Sequence, residues 1–213
     1  MTRRTYGQFC GLVRALEIVG ERWALVIVRD LLVGPRRYTD LKRGLPRIPT
    51  NILANRLRDL EEAGVVRRRL EERPGGAVVY ELTERGQGLE RSVMELGKWG
   101  AQLLTEPGPG EIITEDSMVM ALRTIFRPQA ARGVTASYEL RLGAVTLHAQ
   151  IQKGRLEVAG GPLPGADLVI TAGPQLRELL AGEITPAQAL RRGVVRIEGP
   201  RRLLSTFAEV FRI

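Results

Sequence analysis

A mainly α winged helix-turn-helix unit followed by an α+β unit with a mostly antiparallel sheet is the fold class that this sequence of 213 residues predicts. Three observations carry it. Thr39 to Leu82 runs helix, turn, helix, hairpin. Thr105 to Gly110 places two prolines and two glycines in six residues, the composition of a linker. Beyond it, apolar residues alternate with polar ones in the manner of strands. The domain boundaries that follow are 1–104, a linker at 105–116, and 117–213.

Residues 8–19 predict a first helix, with Phe9, Leu12, Val13, Leu16 and Val19 on one face. Glu21 to Leu32 predicts a second helix, whose Trp23–Val28 segment is apolar nearly all round and so belongs in a core. Gly34-Pro35 ends it. Thr39 is suited to cap a short helix over Asp40–Leu45, because its hydroxyl can satisfy an orphan amide. Pro49 to Leu60 is the informative helix. Leu53, Leu57 and Leu60 form its apolar stripe, while Thr50, Asn51, Asn55, Arg56 and Asp59 occupy the other side. Gly64 closes it in the left-handed conformation that glycine adopts cheaply. Val65–Leu70 and Ala77–Tyr80 are the strands of a wing, joined through Arg73-Pro74-Gly75-Gly76. Thr83 opens a long helix to about Leu104.

In the second unit Met118, Leu122, Ile125 and Phe126 mark a helix ended by Pro128. Tyr138–Leu142, Val145–Ile151 and Leu156–Val158 predict a three-stranded meander, and Leu168–Thr171 a further strand. Helices follow at about Pro174–Leu180 and Pro186–Arg192, the latter capped by Thr185. Val194–Ile197 is a last strand and Pro200–Phe211 a last amphipathic helix.

The net charge is +8. Residues 36–73 carry 11 basic and six acidic side chains, so much of the excess lies on the helix-turn-helix and wing. That concentration points to a polyanionic partner, double-stranded DNA. Arg56 and Asn55 are the leading candidates for base readout, since arginine pairs with guanine and asparagine with adenine in bidentate fashion. Thr50 and Asn51, near the helix start, are placed to position phosphate. Arg58 either contacts DNA or pairs with Glu61 or Glu62. Arg73 is a backbone or minor-groove candidate at the wing tip, and Arg36, Arg37, Lys42 and Arg43 are candidates for anchoring the preceding helix on backbone. Alternation sends Arg68 to the opposite face from Arg67 and Arg69.

One cysteine, Cys10, excludes an internal disulfide, and one histidine, His148, leaves no plausible zinc site. His148 shares a strand face with Thr146 and Gln150, away from the predicted core. The sequence has no nucleophile elbow, phosphate loop or GxGxxG, so neither an enzyme nor a cofactor is expected. No apolar run approaches the roughly 20 residues of a membrane span, and none follows Arg3 and Arg4, so a cytoplasmic location without membrane insertion is expected.

Residues 9–104 resemble the HxlR-type winged-helix transcription regulators. The matching stretches are Cys10, Glu21-Arg22-Trp23, Gly34-Pro35-Arg36-Arg37-Tyr38-Thr39-Asp40-Leu41, Ile52 to Gly64, and Tyr80-Glu81-Leu82-Thr83-Glu84-Arg85-Gly86. The resemblance implies a homodimer built from the first and last helices of the unit, here through Phe9, Leu12, Val13, Leu16, Leu89, Val93, Leu96 and Leu103. It implies recognition helices in successive major grooves, with wings on flanking backbone. It also makes Cys10 a candidate oxidant sensor, against the plainer reading of a small buried apolar residue. The family usually has serine where this chain has Pro49, so either Thr50 caps the recognition helix or Pro49 opens it.

Residues 117–213 resemble the sterol-carrier-protein-2-like (SCP2-like) lipid-binding fold, through Ala166–Thr171 and Ile184–Gly199. That fold encloses an apolar tunnel, which implies an apolar small-molecule or lipid ligand, with no pocket residue transferable by motif. The expected function is a homodimeric DNA-binding transcription regulator modulated by that ligand. Two alternatives stay open: a constitutive DNA binder with a structural C-terminal domain, and a lipid carrier whose winged helix serves protein contacts.

Overall fold

Leu41, Leu45, Ile48, Leu53, Leu57 and Leu60 are all buried, and their shared burial organises the N-terminal part of the chain. The structure is a computed structural model describing residues 5–71, 76–105 and 107–213. The chain divides into two units, Met1–Val93 and Met94–Ile213.

The first unit runs α1 (Gly11–Val19), α2 (Ala24–Val33), β1 (Arg36–Arg37), α3 (Tyr38–Gly44), α4 (Thr50–Glu62), β2 (Val66–Leu70), β3 (Val78–Leu82) and α5 (Glu84–Gln87). Helix α6 (Glu90–Ala101) crosses the boundary between units. The expected helix-turn-helix and wing are present, and β1 adds a third strand in the order β1-β3-β2, all antiparallel. The all-round apolar character of α2 is explained by burial of Ala24, Ile27, Val28, Leu31 and Leu32.

Several boundaries differ from expectation, each for a local reason. Helix α2 starts at Ala24 rather than Glu21, because Trp23 takes a left-handed backbone (φ 81°) that cannot belong to the helix. Helix α3 begins at Tyr38, so Thr39 lies inside it. The Asp40 carboxylate, rather than the Thr39 hydroxyl, closes the first turn by accepting the Arg37 amide at 3.3 Å. Pro49 is the N-cap of α4 and makes no side-chain cap; Thr50 is the first helical residue, so it neither caps nor does Pro49 open the helix. The long helix expected over 83–104 is interrupted at Gly88, which separates α5 from α6.

Helix α4 ends in a Schellman arrangement. Gly64 (φ 68°) donates to the Glu61 carbonyl at 3.0 Å and Val65 to the Leu60 carbonyl at 2.9 Å. Thr83 then stitches the exit of β3 to this turn, its hydroxyl donating to the Gly64 carbonyl at 2.6 Å and accepting the Gly86 amide at 3.2 Å. A Cβ at Gly86 would collide with the Val65 carbonyl oxygen, which accounts for glycine there.

The second unit contains α7 (Glu115–Ile125), β4 (Ala136–Leu142), β5 (Val145–Gln152), β6 (Arg155–Gly160), β7 (Leu168–Ala172), α8 (Leu176–Leu180), α9 (Pro186–Arg191), β8 (Val195–Glu198) and α10 (Arg201–Val210). Its five strands lie in the order β6-β5-β4-β7-β8. β4, β5 and β6 form the expected antiparallel meander, whereas β7 joins β4 in parallel. Tyr138, Leu140 and Leu142 pair across to Ala149, Leu147 and Val145, making one apolar sheet face. Tyr138 stacks on Phe207 of α10 at 5.2 Å between centroids, and Phe207 on Phe211 at 4.7 Å. Burial of the Tyr138 phenol, with the charge of Asp167 adding to it, pushes its pKa up to about 12.

The other face holds a buried carboxylate that the sequence reading did not single out. Glu139 is 4% exposed; its Oε2 accepts the Leu163 amide at 2.8 Å and its Oε1 the Arg141 Nε at 2.7 Å. His148 lies opposite it in register, with Nδ1 3.0 Å from the Gly161 carbonyl oxygen. The Leu163 amide, and then Arg141, hold the Glu139 carboxyl below its ordinary value of 4.5. A depressed carboxylate contributes stability that is present above the unfolded pKa and is lost as pH falls through the folded one. Glu139→Gln is therefore expected to lower urea resistance at pH 7, and the gap from the unmodified protein should narrow as pH falls below 4.5. A gap that stays constant with pH would contradict this.

Candidate nucleic-acid interface

Burial of Leu53, Leu57 and Leu60 fixes the rotation of α4 and so decides which side chains face away from the core. At 100° per residue, Asn51, Ala54, Asn55 and Arg58 share the outward arc, while Thr50 is exposed through its place at the helix start. Thr50, Asn51, Ala54 and Arg58 are exposed and Asn55 half-buried. Arg58 donates from Nη2 to Asn55 Oδ1 at 3.3 Å, placing a guanidinium beside an amide on one surface. The pairing of Arg58 with Glu61 considered above does not form, since Glu61 instead accepts Arg68 Nε at 2.9 Å.

Arg56 lies on the flank of the helix rather than at its outer face. Its side chain is 21% exposed and is held by Asp59 Oδ2 at 2.5 Å and Glu21 Oε2 at 3.1 Å. Reaching a base would require it to exchange both carboxylates. Glu21, on the turn between α1 and α2, was not a predicted site residue; it becomes one as the partner that ties α4 to the start of the chain. Asp59, read at first as part of the polar face, is the other half of that clamp.

The wing is braced by ion pairs. Arg67 and Arg69 share one strand face and both engage Glu81, at 2.7 and 3.0 Å, while Arg68 points to the other face, as alternation requires. Arg69 first, and then Arg67, hold the Glu81 carboxyl below its usual range. Arg37 bonds Glu71 at 2.6 Å, joining β1 to the residue after β2. Arg43 sits 3.6 Å from Asp40, Lys42 donates to the Pro46 carbonyl at 3.4 Å, and Arg36 to the Pro35 carbonyl at 3.0 Å. Arg73 lies outside the described residues.

Tyr38 is the contributor that sequence reasoning missed. Its hydroxyl donates to the Thr50 carbonyl at 2.8 Å, bonding the first turn of α3 to the first turn of α4. An aromatic residue directly before Thr39-Asp40 was the only signal available for it.

Helix α1 and helix α6 expose apolar side chains. Phe9 is fully exposed, and Leu12, Leu16, Leu96 and Leu103 are exposed as well; Val13, Leu89 and Val93 are half-buried. Trp99 and Leu104 extend the exposed set. Among the described residues α6 buries none of its side chains. Cys10, the N-cap of α1, is exposed rather than buried. The backbone amides of Val13 and then Leu12 at the start of α1 lower its thiol pKa from the ordinary value of 9.0.

The HxlR-like helix-turn-helix family profile matches residues 18–107. The HTH-type transcriptional regulator Rv3095 of Mycobacterium tuberculosis is 40% identical over 110 residues, 51% of this chain and 68% of that protein. YodB of Bacillus subtilis, also an HTH-type transcriptional regulator, is 31% identical over 102 residues, 48% of this chain and 88% of its own length. The chain belongs to the HxlR-like helix-turn-helix family. The structure of reduced YodB superposes with a TM-score of 0.40 and 32% identity over 47% of this chain and 99% of that one.

Membership makes the N-terminal half a DNA-binding transcriptional regulator domain with α4 as its second helix-turn-helix helix. No described helix is long and apolar enough to cross a membrane. Within this HxlR-like domain, Tyr38→Phe should cost about 0.5–1.5 kcal/mol of stability through loss of the bond to Thr50, read by urea unfolding. An unchanged midpoint would show that water replaces the phenol without loss.

Proposed function

We propose that the protein is a homodimeric, ligand-responsive transcription regulator that places two copies of α4 in successive major grooves. The observation that carries this reading is the outward arc of α4. There, Asn51, Asn55 and Arg58 supply donors and acceptors for base edges, and Thr50 lies at the helix start, where phosphate is favoured. Arg56 orients the helix from its flank, and reads a base only if DNA displaces Glu21 and Asp59. Lys42, Arg43, Arg36 and Arg37 flank the reader on backbone, and Arg73 does so from the wing.

The dimer reading is supported by exposed Leu12 and Leu16 on α1 with Phe9 just before it, and by Leu96 on α6 with Leu103 just after it, apolar faces that solvent alone would cover poorly. The half-sites would then lie about one helical turn apart. Cys10 is the only thiol in the chain. Any disulfide it forms is with another molecule, which at the dimer face would be its counterpart.

The C-terminal unit is read as an SCP2-like domain that receives a small molecule and changes the spacing of the two reading helices. The stretches Ala166–Thr171 and Ile184–Gly199, which resemble that fold in sequence, support the assignment. A second reading, in which this unit is purely structural, is favoured by the packed Tyr138, Phe207 and Phe211 rings between sheet and helix.

Selecting a bound sequence from a random duplex library tests the reader. Arg58→Ala is expected to weaken the selected duplex about 5- to 100-fold while leaving random DNA nearly unchanged, the signature of base readout. Equal losses on both would place Arg58 on phosphate. The carrier alternative fails if binding falls steeply with salt, at a log–log slope near −0.9 per phosphate contact.

The dimer is tested by Leu12→Glu combined with Leu16→Glu. Sedimentation should then report a monomer, with affinity for the selected duplex reduced at least about tenfold, as expected when one of two half-sites no longer contributes. A dimer of unchanged stability would move the interface elsewhere.

A further inference from the structure

A groove of about 440 Å³ opens between α9 and α10, a volume within the range of small-ligand sites. Pro186, Ala187 and Leu190 give it apolar lining, and Arg191, Arg201 and Ser205 give it polar lining. Neither arginine has an ion-pair partner among the described residues. Three carboxylates of this unit are bound to other arginines: Glu178 to Arg192 at 3.0 Å, Glu183 to Arg177 at 2.8 Å, and Glu198 to Arg141 at 3.1 Å.

Residues 191–202 contain five arginines against one glutamate, so this edge of the unit is strongly basic. Arg201 also stands in the first turn of α10, at the positive end of the helix dipole, where a cation gains nothing from its own helix. Two uncompensated guanidinium groups beside apolar lining define a ligand with an anionic head and an apolar body.

We propose that this groove binds a small organic carboxylate, its head held by Arg191 and Arg201 and its body against Pro186, Ala187 and Leu190. Guanidinium matches carboxylate with paired N–H donors, and Ser205 adds a hydroxyl. A nucleic-acid backbone would use the same charges but would leave the apolar lining without a role. The inference rests on the reading of the C-terminal unit as a ligand receiver, and it replaces a purely apolar effector with an amphiphilic anion.

The probes are octanoate, acetate and octan-1-ol, titrated calorimetrically into the full-length protein. Octanoate is expected to bind at least tenfold more tightly than either acetate, which lacks the body, or octan-1-ol, which lacks the charge. Arg191→Ala and Arg201→Ala should each weaken octanoate at least tenfold, whereas Arg155→Ala, an exposed arginine on β6, should change it less than twofold. Circular dichroism of each variant verifies that the fold is kept.

Failure of octanoate to bind, or equal binding by the Arg191→Ala/Arg201→Ala double variant, overturns the site. So does unchanged octanoate binding with a shallower salt dependence of DNA binding, which would make these arginines phosphate contacts. Octanoate that binds through the two arginines yet leaves affinity for the selected duplex unchanged supports the site and removes the regulatory reading. A different ligand that shifts DNA affinity while octanoate stays silent does the reverse.

Discussion

The rotational setting of α4 is the constraint on which the reading surface depends. Leu53, Leu57 and Leu60 are each at most 2% exposed. Burial of a leucine side chain is worth roughly 1.5–3 kcal/mol, so turning the helix by one residue would forfeit several kcal/mol and bury polar groups without partners. Both ends of the helix are fixed as well. The Schellman turn at Gly64 sets where α4 stops, and the Tyr38 bond to the Thr50 carbonyl sets where it starts relative to α3. With stripe and ends determined, the outward arc contains Asn51, Asn55 and Arg58 by geometry alone.

Electrostatics refines what that arc presents. The excess of cations in the winged unit is not spread evenly over a solvated surface. Arg37, Arg56, Arg67, Arg68 and Arg69 are each committed to a carboxylate within 3.1 Å. Exposed pairs of this kind contribute only about 0–1 kcal/mol apiece, so their chief effect is on orientation. They hold the wing strands and the flank of α4 in place. Arg58 differs because its neighbour is an amide, which an incoming base edge or phosphate can displace at little cost.

Periodicity carried much of this fold in plain sight. The spacing of Leu53, Leu57 and Leu60 and the alternation in β4 and β5 are both direct consequences of one buried face, and both appear in the structure at the expected positions. Much of what the sequence hid originates in long-range partnership. Arg56 looked outward by residue type, yet its angle to the leucine stripe sets it on the flank, and Glu21, 35 positions earlier, holds its guanidinium there. The parallel insertion of β7 beside β4 could not be read from β7 itself, because an apolar strand looks the same whichever neighbour it meets. Trp23 shortened α2 through a backbone conformation that residue type gives no reason to expect.

The two units treat their aromatic residues in opposite ways. In the C-terminal unit Tyr138, Phe207 and Phe211 are enclosed within one stack. Phe9 on the N-terminal arm and Trp99 on α6 face solvent in the single chain. A Phe at full exposure forgoes the stabilisation that burial would give it, and α6, half-buried at Val93 and Met94 but with no fully buried side chain among the described residues, is only partly covered. In the proposed dimer, the second copy of the chain covers these apolar faces. Folding of α1 and α6 would then depend on association, and apparent stability would rise with protein concentration.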